Sequence, residues 1–352
     1  MKKEILFTEG KYTIQRHHGI PKEAMQFLER IAWGNEGAIY EHKNTEAHIK
    51  LIKNPMLLGI FEGDQIRATA VFSITTVATQ EKHYNCNYIR YFASSKEIRG
   101  KGVMKKFSIK VMELIRENEK EKTIYFACIE RANKSSYKVV ESAGYSSIGT
   151  VKTLGFSRFF PKSNKNITQI ASTADKEEVL NLLKETYANH VLTQFDSLFI
   201  NNNYFVLREN GKIVAGCQYH RAHWVINNMK GFMGKIVMNV VPIIPILNKL
   251  FNPKRFEFLA FEGLYFLPGY EQQLYSLFEG LLAKEKLKSS MFWLGNTCPI
   301  REKILTKGKL GMIHSFIKDS DVEIMAAYKN IDETKIENLK SKPIFASAFD
   351  YI

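Results

Sequence analysis

The stretch Arg99-Gly100-Lys101-Gly102-Val103 decides how this chain is interpreted. It follows an apolar run over residues 88–93 and opens an amphipathic segment over 104–118, so the sequence predicts a strand, a glycine-rich turn and a helix start. The first N–H groups of a helix lack intrahelical partners and carry the positive end of the helix dipole. Two glycines let an anion approach that backbone, and three lysines add positive charge: Lys101, Lys105 and Lys106. The turn therefore predicts a pyrophosphate site.

Two other phosphate-binding loops do not fit this stretch. A Walker loop requires Gly-x-x-x-x-Gly-Lys-Ser/Thr, which the sequence lacks. The dinucleotide fingerprint Gly-x-Gly-x-x-Gly is incomplete, because Lys105 stands where its third glycine belongs. A plain β–α turn that happens to contain two glycines is the alternative interpretation.

The elements that follow the turn point to a family. Residues 123–128 are a β-branched and aromatic run typical of a strand, and residues 133–143 predict a short helix that ends at Gly144. This order resembles the GNAT family of acetyl-CoA-dependent N-acyltransferases. The family signature Arg/Gln-x-x-Gly-x-Gly/Ala corresponds to residues 99–104, and the signature Asn-x-x-Ala-x-x-x-Tyr-x-x-x-Gly-Phe corresponds to residues 133–145. The resemblance covers about residues 1–160.

Three positions depart from these signatures. Met104 stands where the family has Gly or Ala, and Ser136 replaces Ala. Val140 occupies the position of a tyrosine that commonly protonates the leaving CoA thiolate, and valine cannot donate a proton. Tyr137 lies three residues earlier on the same helix face. It is either a substitute acid or a tyrosine that packs the helix, and water is the alternative proton donor.

The resemblance implies the remaining roles. Acyl-CoA would lie in a gap between the strands near 87–94 and 123–129, and the backbone near its thioester would stabilise the oxyanion. The acceptor amine would attack directly, and a base would remove its proton. Glu130 is the best-placed base by sequence; the alternative is a solvated surface glutamate. The residues expected to contact acyl-CoA are Phe92, Ala93, Ser94, Arg99, Gly100, Lys101, Gly102, Val103, Met104 and Asn133.

Other reactive side chains are weaker candidates. Cys128 has no sequence feature that supplies a partner base, so we expect a packing cysteine rather than a nucleophile. The pairs His17-His18 and His220/His223 lack further ligands, and we expect no metal site. The four cysteines are widely spaced without a Cys-x-x-Cys motif, which is typical of a cytoplasmic protein with free thiols.

Charge is uneven along the chain, whose formal net charge is +14. Residues 1–164 contain 27 basic and 17 acidic residues, whereas residues 165–352 contain 23 and 19. The basic excess thus lies on the half that carries the phosphate loop and agrees with a polyanionic ligand such as CoA. No basic stripe with interleaved aromatic residues is present, so a nucleic-acid partner is not expected.

The second half repeats the element order of the first. After a linker near residues 160–166, the sequence predicts a strand at 167–171, a helix at 175–190 and a hairpin that turns at Asn210-Gly211, matching an earlier hairpin over 57–68. A strand over 256–266 then leads to a loop with one glycine, Gly269, and with Glu271. This pattern predicts a second, degenerate GNAT-like unit that binds no CoA.

Residues 224–251 are predicted to be an apolar insertion in that second unit. A transmembrane helix is excluded because Lys235, Asn239, Pro242 and Pro245 interrupt the run before about 20 apolar residues accrue. A buried helical hairpin or arm, an oligomer contact, and an apolar wall or lid for the acceptor or acyl chain remain open.

The sequence therefore predicts an α/β protein with two GNAT-like units in tandem, each a mixed sheet with flanking helices. We expect a GNAT acyl-CoA-binding domain over residues 1–164 and a degenerate GNAT-like domain over 165–352. The expected activity is transfer of an acyl group, with acetyl-CoA as the donor, to a primary amine of a small molecule or peptide. The alternative is a non-catalytic acyl-CoA-binding or scaffolding protein. Long-chain acyl transfer rests only on the apolar insertion, and a homodimer is left open.

Overall fold

The computed structural model describes residues 2–34, 38–79, 82–307, 310–317 and 321–347. The chain divides into two compact units, each built from separate segments. The first unit comprises residues 1–35, 44–149 and 322–341, and the second comprises 36–43, 150–321 and 342–352. Each unit is a mixed α/β structure, as the sequence predicts.

The strands are, in chain order, β1 (Lys3–Glu9), β2 (Tyr12–His18), β3 (Ala38–His42), β4 (Pro55–Glu62), β5 (Gln65–Thr79), β6 (Lys82–Ser94), β7 (Thr123–Glu130), β8 (Ser146–Ser157), β9 (Ile167–Gln169), β10 (Tyr204–Glu209), β11 (Lys212–Met229), β12 (Phe256–Phe266), β13 (Ser289–Gly295) and β14 (Asp321–Lys329). The α-helices are α1 (Lys22–Leu28), α2 (Thr45–Ile49), α3 (Val103–Glu117), α4 (Lys134–Ser142), α5 (Thr173–Thr186), α6 (Gly231–Asn239), α7 (Pro245–Leu250), α8 (Glu271–Glu285), α9 (Pro299–Lys307), α10 (Met312–Ile317) and α11 (Glu333–Lys340).

The sheet of the first unit has the order β1-β2-β4-β5-β6-β7-β14. Neighbours are antiparallel except β6 and β7, which are parallel and are connected through α3. A parallel pair requires a crossover of this kind, because a tight turn can only reverse the chain. The crossover places the glycine turn at the carboxyl end of β6.

Helix α3 packs on this sheet through one face. Phe107, Val111 and Met112 are buried, while Lys105, Lys106 and Lys110 are exposed, which is the periodicity of an amphipathic helix. The ring of Phe107 stacks on Phe7 at 5.4 Å between centroids, and Met325 of β14 belongs to the same core. The predicted strand over 88–93 and helix over 104–118 are therefore confirmed as β6 and α3.

The second unit repeats this element order. Its sheet has the order β8-β13-β12-β11-β10-β9, with β3 paired to the distal part of β11. As in the first unit, an antiparallel hairpin leads into a strand, a helix and a parallel strand: β10, β11, β12, α8 and β13. The predicted turn is confirmed, with Asn210 at φ 49° and Gly211 at φ 79°, the left-handed pair of a type I′ hairpin.

The division along the chain differs from the single boundary expected at 164/165. The first continuous stretch ends near residue 149, and residues 322–341 belong to the first unit although they lie near the end of the chain. The physical reason is the pairing of β14 with β7, from Val322 opposite Glu130 to Lys329 opposite Thr123. No local pattern reports a strand partner about 200 residues away in the sequence, so the sequence analysis did not find it.

The apolar insertion is helical but largely exposed. Residues 224–229 extend β11, and α6, a 3₁₀ turn at 241–243 and α7 follow. Phe232 and Ile243 each expose 78% of their surface, whereas Val237, Val241 and Leu250 are buried. The predicted helical arm is thus present, but one of its faces is not covered within the described part of this chain. No helix of the described residues has the length and apolar character needed to cross a membrane.

A buried polar cluster lies in the sheet of the second unit. Glu262 is 4% exposed, and its carboxylate accepts hydrogen bonds from Gln218 (2.8 Å), from His220 Nε2 (2.7 Å) and from Ser347. Burial alone would raise the pKa of Glu262, but the charge and hydrogen bond of His220, with the bonds from Ser347 and Gln218, hold it below the usual 4.5. The cluster therefore favours the carboxylate form.

Replacing Glu262 by alanine should destabilise the protein strongly. The change removes the buried carboxylate to which both Gln218 and His220 are hydrogen-bonded, and breaking a buried pair of this kind costs about 3–5 kcal/mol. Chemical denaturation monitored by circular dichroism measures this loss. The matched control is Glu177→Ala on the exposed face of α5, which should change stability by less than about 0.5 kcal/mol.

Because the pKa of Glu262 is lowered in the folded state, its contribution to the free energy of unfolding should be complete above pH 4.5 and should be lost as the pH drops below that value. Equal stability of the two variants would contradict this account.

Candidate functional site

The glycine turn takes the conformation that an exposed anion-binding loop needs. Gly100 and Gly102 have φ values of 76° and 73°, in the left-handed region that other residues rarely adopt. A Cβ atom placed on either glycine would meet nothing within 4 Å. The glycines are therefore needed for the backbone conformation of the turn, and the space in front of the turn is open.

Helix α3 starts directly behind this turn. Gly102 is its N-cap and has no side chain to accept a hydrogen bond, while its carbonyl accepts from Lys106 N at 3.1 Å. The preceding N–H groups of the first turn have no intrahelical acceptor, as at every helix start. Lys101 and Lys105 are exposed beside them. This arrangement fits an anion of the size and charge of a pyrophosphate.

Arg99 and Lys106 are partly committed to other groups. The Arg99 guanidinium donates to the carbonyl of Ser94 at 3.0 Å, which braces the loop against the end of β6. Lys106 forms an ion pair with Glu9, and its hydrogen bond lowers the pKa of that carboxyl. Among the lysines predicted for the site, Lys101 and Lys105 form no ion pair within the described residues.

The sheet divides between β6 and β7. Their parallel pairing runs from Asn85–Thr123 to Ile89–Ala127 and stops there, although β6 continues to Ser94 and β7 continues to Glu130. The outer edges remain paired, β6 to β5 and β7 to β14. A wedge-shaped gap therefore opens at the carboxyl ends of the two parallel strands, which is where ligands bind in sheets with parallel strands.

A β-bulge in β6 lies where the gap begins. Val71 of β5 faces Arg90 and Thr69 faces Ala93, so β6 has one residue more than β5 between these two pairs. Tyr91 within the bulge has φ 44°, which is rare for a bulky residue, and the Thr69 hydroxyl donates to its carbonyl at 3.0 Å. Bulges redirect a strand and increase its twist, and this one accounts for the divergence of β6 from β7. The sequence analysis missed it, because no residue type marks this bulge.

The residues predicted on β6 and β7 lie around this gap. Phe92, Ala93 and Ser94 form the unpaired end of β6 on the β7 side, and Ala93 is buried while the other two are half-buried. Glu130 is the last residue of β7 and is half-buried. Because the loop over 99–102 follows β6 and Glu130 ends β7, the structure brings these groups to the same edge of the sheet.

Asn133 caps α4 instead of standing free. Its side-chain oxygen accepts a hydrogen bond from Ser136 N at 3.2 Å, which satisfies one of the unpaired donors of that helix start. The residue lies three positions after Glu130, whose carbonyl accepts from Asn133 N at 2.8 Å. Its predicted contact with acyl-CoA would use the amide nitrogen of the side chain or the second lone pair of the oxygen.

Val140 and Tyr137 differ in their surroundings. Val140 is 3% exposed and lines an apolar cavity, whereas Tyr137 is half-buried against the edge of the core of the first unit. Both lie on α4, one turn apart. The tertiary structure thus places the valine inside the protein and leaves a phenol nearer the surface of the same helix.

The side chains of Cys128, His17 and His220 contact other protein side chains. The hydroxyl of Tyr88 donates to Cys128 Sγ at 3.3 Å, and burial raises the pKa of the Cys128 thiol to about 12. Such a thiol is protonated at neutral pH and is a poor nucleophile. His17 pairs with Gln15 at 3.1 Å, and His220 belongs to the Glu262 cluster. In the described segments, no three His, Cys, Asp or Glu side chains are grouped as metal ligands would be.

The corresponding helix start in the second unit is closed by a carboxylate. Gly269 N donates to Glu271 Oε1 at 3.4 Å, and Glu271 is 5% exposed in the first turn of α8. The carboxyl group of Glu271 thus occupies the helix start that corresponds to the glycine turn of the first unit.

Comparison with known proteins gives a family for part of the chain. Residues 24–148 match the family model described as acetyltransferase (GNAT) domain. These residues form a GNAT domain. The match spans β4, β5, β6, α3, β7 and α4, and so includes the glycine turn, the bulge and the gap.

Two of the similar solved structures share the fold over most of the chain. Saccharomyces cerevisiae N-myristoyltransferase with bound myristoyl-CoA has a TM-score of 0.61 at 9% identity, covering 98% of this chain and 90% of that one. A second structure of that enzyme, with myristoyl-CoA and inhibitors, has a TM-score of 0.58 at 9% identity, with 97% and 87% covered. A GCN5-related N-acetyltransferase from Anabaena variabilis has a TM-score of 0.49 at 10% identity, with 89% and 72% covered. A search of curated protein sequences gave no match.

Proposed function

We propose that this protein is an acyl-CoA-dependent N-acyltransferase that acts on a primary amine of a small molecule or peptide. The observation that carries the proposal is the split of the β6–β7 pair next to the glycine turn. The turn supplies donors and positive charge for the pyrophosphate, and the gap accommodates the pantetheine arm and thioester. The GNAT domain match covers both features.

Each residue predicted for the site has a role in this proposal. The turn over 99–104 holds the pyrophosphate, and backbone N–H groups at the Phe92–Ser94 end of β6 face the thioester oxygen, where they stabilise the negative charge of the tetrahedral intermediate. Asn133 contacts the CoA arm from the β7 side. These groups orient the thioester and need no covalent intermediate on the protein.

The transfer step requires a base and an acid. Glu130 accepts a proton from the acceptor ammonium, directly or through water, and the neutral amine then forms a bond to the thioester carbon. As the bond between that carbon and sulfur breaks, the nitrogen releases its second proton to water. The thiolate takes a proton from water or from the Tyr137 hydroxyl, which water then reprotonates. A neutral phenol is able to donate in this way. The products are an amide and free CoA.

A non-catalytic acyl-CoA-binding protein is the second candidate. The specific observation in its favour is the buried Val140 at the position of the usual acid. Both candidates require the glycine turn to bind CoA, and they differ only in whether an amine becomes acylated.

Gly102→Glu should abolish acyl-CoA binding. The new carboxylate would stand at the start of α3, where the pyrophosphate is proposed to lie, and would repel it. Isothermal titration calorimetry with acetyl-CoA measures the effect. Gly63→Glu is the matched control, since Gly63 also has a positive φ (59°) and open space around its Cβ position, but lies in the β4–β5 turn. Unchanged binding in the Gly102 variant, or two CoA molecules bound per wild-type chain, would contradict the proposed site.

Tyr137→Phe tests the proton donor, because it removes the hydroxyl and keeps the ring. If Tyr137 donates to the thiolate, kcat should fall by about 10²–10⁴-fold while the affinity for CoA stays the same. Tyr12→Phe is the matched control, because Tyr12 is also half-buried against the same core. Unchanged turnover would assign Tyr137 to packing and the proton to water. Binding of CoA by the wild type without acylation of any amine would favour the second candidate.

A further inference from the structure

An apolar cavity of about 60 Å³ lies inside the first unit, between α3 and the sheet. We propose that this cavity receives the acyl chain of the donor, and that the donor is therefore a medium-chain acyl-CoA rather than acetyl-CoA. The proposal rests on the acyl-CoA function proposed above and names its substrate class.

The cavity adjoins the site at two places. Its wall includes Ile89, the last residue of β6 that pairs with β7, and Phe92, on the unpaired end of β6. It also includes Met104, in the first turn of α3 directly behind the glycine turn. A thioester held at the gap by β6 is thus positioned with its acyl group next to the cavity wall.

The wall has the chemistry of an alkyl-chain site. None of the described residues that line the cavity carries a charge. The Thr69 hydroxyl is engaged with the carbonyl of Tyr91, and the Tyr145 hydroxyl contacts Met112 Sδ at 3.6 Å. Ser108 adds one further hydroxyl, so the wall is mainly apolar, and cavities of this kind accept apolar ligands.

The volume of the cavity sets the length of the acyl chain that it can hold. One water molecule needs about 10–15 Å³ on this scale, so the cavity holds about four to six groups of methylene size. Acetyl-CoA brings a single methyl group and would leave most of this space empty. Chains of about six carbons would fill it.

The unusual valine on α4 has an explanation in the same cavity. Val140 lines it and is buried, so a tyrosine at this position would occupy part of the space. A valine instead leaves the space for a ligand and extends the apolar wall. The residue at the position of the usual acid is thus part of the cavity wall.

Affinity measured across a series of acyl-CoA lengths tests the proposal. Free CoA, acetyl-, butyryl-, hexanoyl-, octanoyl- and palmitoyl-CoA are titrated into the wild-type protein by calorimetry. Each buried methylene should increase affinity about fourfold, so hexanoyl-CoA should bind about 10²-fold more tightly than acetyl-CoA, and palmitoyl-CoA should gain nothing further. Equal affinity for all lengths would overturn the proposal while leaving the proposed function intact. Failure of free CoA to bind would instead overturn the proposed function.

A variant that fills the cavity tests its location. Ser108 lines it from α3, so Ser108→Phe should reduce the affinity for hexanoyl-CoA to that for acetyl-CoA. Ser135→Phe is the matched control, because Ser135 is an exposed residue of α4, and it should keep the length preference of the wild type. A length preference that persists in Ser108→Phe would place the chain elsewhere and overturn the assignment.

A separate observation concerns the exposed face of the α6–α7 segment, which we define as residues 230–255. Five large apolar side chains are exposed in it: Phe232, Val240, Ile243, Ile244 and Ile246. The segment contains five basic residues and no acidic residue. Arg255 pairs with Glu257 at 2.8 Å, but the four lysines (Lys230, Lys235, Lys249 and Lys254) form no ion pair within the described part of the chain.

We infer that the α6–α7 segment docks on the surface of an anionic phospholipid bilayer. Apolar side chains at the tips of short helices suit shallow insertion between headgroups, and the lysines around them suit negatively charged lipids. The uniform positive charge favours this occupant over a second copy of the chain, since two such faces would repel each other.

Vesicle co-sedimentation tests this surface. The protein should bind vesicles of phosphatidylcholine mixed with phosphatidylserine, bind phosphatidylcholine alone at least tenfold more weakly, and lose binding as salt is raised. Phe232→Glu should abolish binding, whereas Phe160→Glu should not, although Phe160 is exposed to the same degree (79% against 78%). Equal binding of both variants, or no binding by the wild type, would overturn the inference. So would a concentration-dependent dimer that Phe232→Glu disrupts.

Discussion

The site of the first unit depends on the point at which β6 and β7 stop pairing. Up to Ile89 and Ala127 the two strands share a parallel ladder, and beyond these residues each is bonded only to its outer neighbour. The bulge around Tyr91 redirects β6 at this point and is held by the hydroxyl of Thr69. Without the divergence, the backbone N–H and C=O groups of Phe92–Ser94 would form hydrogen bonds with β7, and the sheet would have no gap.

The glycine turn and the gap work as one arrangement, because both follow from a parallel pair connected through a helix. The crossover brings the start of α3 to the carboxyl end of β6, so the dipole of the helix and the open edge of the sheet face the same region. The second unit has the same crossover, yet Glu271 supplies a buried carboxylate at the start of α8. The two units thus share one element order but differ at the helix start that follows the third strand of each hairpin unit, in the glycines as well as in this carboxyl group.

The sequence predicted much of the local structure. The strand before the turn, the helix after it and the type I′ hairpin at Asn210-Gly211 are confirmed, because glycines, apolar periodicity and turn residues report on backbone conformation within a few positions. Two units were predicted, but with a single boundary at 164/165, whereas β14 joins the sheet of the first unit from the far end of the chain. The assignment of Tyr137 and Glu130 as acid and base stays a prediction.

The sequence by itself determined the glycine turn, the repeated element order and the absence of a tyrosine at position 140. Each of these features follows from residue types at fixed, short spacings along the chain. Only the tertiary structure decided that β6 diverges from β7, that an apolar cavity lies between α3 and the sheet, and that one face of the α6–α7 segment is exposed. These features arise from contacts between residues far apart in the chain, where packing rather than local backbone preference sets the geometry.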